Sequence, residues 1–101
     1  MNHDKELQQL GEAEIKDRLR ELPGWEYEDN KLVKTFEFPT FNDGIALINQ
    51  LVPFCNEIDH HPDIFISYTK ITFYLTRYSI GGHVTDRDFD VAEKIEDLYG
   101  R

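Results

Sequence analysis

The chain has 101 residues and a formal net charge of −9, from 20 acidic and 11 basic side chains. This length predicts a single domain over residues 1–101. The acidic balance has no basic cluster against it and argues against direct contact with nucleic acid or an anionic membrane. Cys55 is the only cysteine, which excludes an internal disulfide and a thiolate metal cage.

Residues 1–6 are polar and lack the apolar core of a signal peptide, and the first ten residues are expected to fray. No apolar run approaches the ~20 residues that span a bilayer. The expectation is a soluble cytoplasmic protein. Ile15, Leu19 and Leu22 recur at helical spacing, and Pro23-Gly24 stops that helix. Trp25-Glu26-Tyr27 reads as a short strand, and Glu28-Asp29-Asn30 as a turn. Residues 32–38 read as a second strand with Leu32, Phe36 and Phe38 apolar. Thr40, with Asp43 three residues on, predicts an N-cap. Phe41, Ile45, Ile48, Val52 and Cys55 then give a helical stripe towards Ile58. Pro53 lacks an N–H and predicts a kink or local break.

Ile64, Ile66 and Tyr68 alternate as a third strand, and Thr69-Lys70 supplies a turn. Residues 71–78 form a fourth, with Ile71, Phe73 and Leu75 on one side and Thr72, Tyr74, Thr76 and Tyr78 on the other. Gly81-Gly82 breaks it. Thr85 and Asp88 cap a last helix whose stripe is Phe89, Ala92, Ile95 and Tyr99. The order α-β-β-α-β-β-α predicts an α+β domain: a four-stranded antiparallel sheet with helices packed on one face.

Two adjacent histidines, in Asp59-His60-His61-Pro62, sit where the middle helix gives way to the third strand. Histidine exchanges protons near neutral pH, its unperturbed pKa being about 6.5. If strands three and four form a hairpin, this junction lies beside Thr76, Arg77 and Tyr78, and sheet-end loops often carry function. Asp88 has a capping role available to it, compatible with a catalytic one. Tyr68 and Tyr74 read as packing residues, Trp25 as core or pocket wall, and His83 as a loop histidine. His60, His61, His83, Asp86 and Asp88 are of metal-ligand type, but adjacent residues on an extended backbone point apart and no HExxH spacing is present. No metal is expected.

From Asn56 to Asp88 the spacing resembles that of the pterin-4a-carbinolamine dehydratases. The pattern is Asp59-His60-His61-Pro62, five residues to Tyr68, nine to Tyr78, then Gly81-Gly82 and Thr85-Asp86-Arg87-Asp88-Phe89. The resemblance runs from Gly24-Trp25 to the last helix. It implies a lyase that dehydrates a 4a-hydroxytetrahydropterin to a quinonoid dihydropterin in tetrahydropterin recycling, with no metal or organic cofactor, as a homodimer or homotetramer. Elimination across C4a–N5 needs a base for the N5 proton and an acid for the departing hydroxyl, which two imidazoles in different environments can share.

By this resemblance His60, His61, Tyr78 and Asp88 are the catalytic candidates, with the roles within the histidine pair left open. Asp59, His60, His61, Pro62, Thr76, Arg77, Tyr78 and Ser79 would contact substrate. Two positions depart from the pattern. Asn56 stands where an ionisable residue is usual, and Tyr78 where a third histidine is usual. A free tyrosine, with a pKa of about 10, is a poor base at neutral pH. His83 is a candidate replacement. The rival expectation is a paralogue of little activity that binds a pterin or a protein.

Overall fold

A computed structural model describes residues 9–78 and 81–100. The elements run α1 Glu12–Leu19, β1 Glu26–Glu28, β2 Lys31–Glu37, α2 Phe41–Ile58, β3 Asp63–Ser67, β4 Lys70–Leu75 and α3 Asp86–Tyr99. This is the expected order. All four strands pair antiparallel in the spatial order β1-β2-β4-β3. Asp29 and Asn30 both adopt positive φ, 52° and 62°, which suits the tight β1–β2 hairpin. Leu32, Phe36, Ile71, Phe73 and Leu75 from the sheet join Leu47, Leu51 and Cys55 of α2 and Phe89, Ala92 and Ile95 of α3 in one buried cluster.

Lys34 shares the inner face of β2 with Leu32 and Phe36, so its charge needs partners. Its Nζ donates to Glu96 at 2.5 Å and to the Pro23 carbonyl at 2.9 Å. The Trp25 indole N–H also donates to Glu96, at 2.8 Å, and Trp25 is buried as core.

The α2 stripe differs in part from the expectation: Cys55 is buried and Ile48 packs against the core as expected, but other members do not. Gly44, Leu47, Leu51 and Cys55 face the core, whereas Phe41 and Val52 are each 45% exposed. The helix is apolar on both sides, so spacing alone could not choose between two stripes offset by one residue. Gly44 fits the buried side closely: a Cβ there would stand 2.7 Å from Ile71 Cδ1, so the neighbour would have to shift. Thr40 caps α2 as expected, accepting from the Asp43 N–H at 3.1 Å. Pro53 does not break the helix, which runs on to Ile58. Its missing N–H falls on an exposed side, where water can serve the Asn49 carbonyl.

Other boundaries shift. Tyr68, expected in the third strand, occupies the hairpin turn at φ 54° and is 76% exposed. Lys70 begins β4. That strand ends at Leu75, not at residue 78, leaving Arg77 in an isolated bridge with His83. Tyr99 is 43% exposed, and Val91 and Leu98 complete the buried side of α3 instead. The expected frayed start falls mostly on residues 1–8, outside the described residues; at residue 10 the Leu10 N–H donates to the Val84 carbonyl at 2.8 Å.

Candidate active site

The junction after α2 separates the two histidines. Asp59 adopts a left-handed conformation (φ 52°). Its N–H returns to the Asn56 carbonyl, and the His60 N–H returns to the Cys55 carbonyl at 3.1 Å. These two bonds form a Schellman motif, with aspartate where glycine is usual. The reversal turns His60 inward, where it is 5% exposed, and leaves His61 exposed.

Both ring nitrogens of His60 are engaged. Nε2 lies 2.5 Å from Asp88 Oδ1, and Arg77 Nη1 lies 3.2 Å from Nδ1. A guanidinium can only donate, so Nδ1 holds the lone pair and Nε2–H donates to Asp88. Asp88 is itself fully buried. Its other oxygen, Oδ2, accepts the Thr85 N–H at 2.8 Å, completing the capping box of α3. One carboxylate thus starts a helix and holds an imidazole. Arg77 also reaches the Asp59 carbonyl, at 3.3 Å.

His61 Nε2 lies 2.9 Å from Asn56 Oδ1, which accepts its proton. Its Nδ1 takes no hydrogen bond among the described residues. The register pairs Asp63, first residue of β3, with Tyr74 near the end of β4. The hairpin thus brings the histidine junction to the tip of β4. Tyr78, just past that tip, donates its hydroxyl proton to Asp63. This bond favours the neutral phenol and raises the Tyr78 pKa above its usual value, with burial and the Asp63 charge adding to the effect.

The expected contact residues divide. Arg77 reaches the Asp59–His60 junction, and Tyr78 reaches the start of β3. Thr76 is buried, and its hydroxyl donates to the Asn30 carbonyl in the β1–β2 turn. Pro62 is half-buried between the histidines and β3. Ser79 lies outside the described residues. His83 is half-buried, and its carbonyl accepts the Arg77 N–H at 3.0 Å. A cavity of about 610 Å³, lined by Gln50, Pro53, Phe54, Asn56, Glu57 and Lys94, reaches the amide partner of His61. Another of about 700 Å³ lies between the starts of α2 and the end of α3 and includes none of the expected site residues. Among the described residues no group of three or more His, Cys, Asp or Glu side chains is arranged to hold a metal ion. No helix among them is long and apolar enough to cross a membrane.

Residues 8–98 match the protein family described as pterin 4 alpha carbinolamine dehydratase. The chain belongs to this family. A Sulfolobus acidocaldarius protein named "Putative pterin-4-alpha-carbinolamine dehydratase" is 44% identical over 89 residues, covering 88% of this chain and 97% of that one. A solved structure described as a transcriptional coactivator/pterin dehydratase from Brucella melitensis superimposes with a TM-score of 0.85 at 28% identity, covering 90% and 98% of the two chains. A pterin dehydratase-like protein identified as a RuBisCO assembly factor in the alpha-carboxysome shares the fold, with a TM-score of 0.59 at 21% identity over 75% of this chain and 87% of that one.

Within this dehydratase family frame, sequence reasoning missed Asp63 and the contact of Arg77 with His60. Hairpin arithmetic held the signal for the first: pairing across the Tyr68-Thr69 turn sets residue 63 against residue 74, near the end of β4. The hairpin placed Arg77 beside the junction, but the specific bond to His60 was not signalled, because Arg77 makes it from an irregular segment beyond β4.

Proposed function

We propose that this protein dehydrates 4a-hydroxytetrahydropterins to quinonoid dihydropterins, with His61 as the working imidazole. The observation that carries this reading is the asymmetry of the histidine pair. His61 is exposed, fixed through Nε2 by Asn56, and open at Nδ1. It is a proton donor or acceptor ready for the hydroxyl at C4a. His60, first expected to share acid–base work, is buried with both nitrogens in use. We assign it the task of anchoring the junction that aims His61, together with Asp88. Asp59, Pro62 and Arg77 are assigned to the pocket wall. No metal or organic cofactor enters this reading.

The wild-type protein is expected to accelerate the breakdown of 4a-hydroxytetrahydropterin in a stopped assay. A rate equal to buffer would overturn the catalytic reading. Binding of a pterin analogue at that same null rate would establish the second reading, a pterin-binding module. That reading is favoured by one observation: His60 and Tyr78 are both tied to protein partners, leaving one imidazole open.

A homodimer or homotetramer is part of the proposal, as is a cytoplasmic location, for which the lone buried thiol Cys55 is suited. Every residue of β3, an edge strand, is exposed, including Ile64, Phe65 and Ile66. The outer stripe of α2 adds Phe41 and Val52. Unpaired edges and apolar patches of this kind are normally covered. The double variant Phe65→Glu, Val52→Glu is expected to elute as a monomer, with wild type at two or four times that mass by light scattering. A monomeric wild type would remove the oligomer from the proposal.

A further inference from the structure

We propose that Asp63 is a positioning residue of this site. It holds the Tyr78 phenol so that the phenolic oxygen receives the substrate N5 proton while the phenol's own proton passes to the Asp63 carboxylate. The inference rests on the dehydration reading and assigns its base.

Tyr78 occupies the position where the resemblance places an imidazole. A phenol cannot take that role by ionising first. The Asp63 bond raises its pKa, so the phenolate is rarer here than on a free tyrosine. The same bond gives it another route. With its proton committed to Asp63, the phenolic oxygen presents lone pairs outward, and Tyr78 is 60% exposed. Asp63 lies two residues from His61, and Tyr78 follows Arg77, whose guanidinium bonds His60. Tyr74 stands opposite Asp63 in the register.

The step balances. The N5–H bond breaks and its electron pair forms the C4a–N5 double bond. The proton goes to the phenolic oxygen as the phenol's original proton goes to Asp63. The C4a–O bond breaks with its pair on the leaving hydroxyl, which takes a proton from protonated His61 and departs as water. Asp63 ends as the neutral acid and His61 as neutral imidazole. Solvent then removes one proton and returns the other.

A double-mutant cycle on the full chain tests the relay. Asp63→Asn is expected to lower kcat about tenfold or more, less than the roughly 10²–10⁴-fold of removing an acid or base outright, with KM nearly unchanged. In a Tyr78→His background the imidazole takes the N5 proton itself. There the same Asp63→Asn change is expected to cost less than about threefold, the difference being the coupling between the two positions. Equal losses in both backgrounds, or no loss in the wild-type background, overturn the proposal. Tyrosine ¹³Cζ NMR gives a readout independent of turnover. Asp63→Asn is expected to bring Tyr78 ionisation down towards its ordinary range, and an unmoved titration also overturns the proposal. An inert wild type would defeat the dehydration reading and the relay together, while the NMR titration would still report whether the pair forms.

Discussion

His61→Ala is expected to abolish most of the turnover while leaving the fold intact. The side chain is exposed, and among the described residues its one hydrogen bond goes to the exposed Asn56. Surface changes of this kind usually move stability by no more than about 0.5 kcal/mol. Removing a positioned proton donor or acceptor typically costs about 10²–10⁴-fold in rate. The expected pattern is thus a kcat lowered at least a hundredfold, with an unchanged urea midpoint. A variant that turned over at the wild-type rate would show that the reaction uses no imidazole from this position. His60→Ala should give the opposite balance. It vacates a buried site and orphans Asp88 Oδ1, so loss of stability accompanies any loss of rate.

Asp88→Ala is expected to be the most destabilising single change at this end of the molecule. Its carboxylate is fully buried and divided between two tasks. Loss of the cap on α3 costs about 1 kcal/mol. Leaving the His60 N–H without an acceptor in the interior adds about 1–3 kcal/mol. A total of about 3 kcal/mol, read from urea denaturation, is a large share of a small domain's stability. Asp88→Asn retains one acceptor oxygen for two donors and is expected to fall between wild type and Asp88→Ala. If Asp88→Ala unfolded at the wild-type urea concentration, neither the cap nor the His60 bond would hold in solution.

The sequence carried the element order because each element had its own local signal. Thr40 and Thr85 mark helix starts, Pro23-Gly24 and Gly81-Gly82 mark stops, and alternation at Ile71, Phe73 and Leu75 marks a buried strand face. What it carried poorly were choices made by tertiary contacts. The inner side of α2 is one, since Leu47 and Leu51 compete with Ile48 and Val52 for the core and the spacing does not rank them. The end of β4 is another, because its last alternating residue, Tyr78, leaves the sheet to meet Asp63.

The candidate site was legible as a neighbourhood. The histidine junction and the tip of β4 meet, as a hairpin requires. The division of labour inside it was not legible. Adjacent histidines look alike in a sequence, and the left-handed turn at Asp59 is what sends one to Asp88 and the other to solvent.

The close seat of Gly44 has a reach beyond its own contacts. From there to Asp59 the chain rises about 1.5 Å per residue along a single unbroken rod, so roughly 20 Å of helix separates the seat from the junction it carries. A Cβ at position 44 would stand 2.7 Å from Ile71 Cδ1, so either the Ile71 side chain or this end of the helix would have to move. A substitution at position 44 that moved the helix rather than Ile71 would carry to the turn at Asp59, some distance from the change itself.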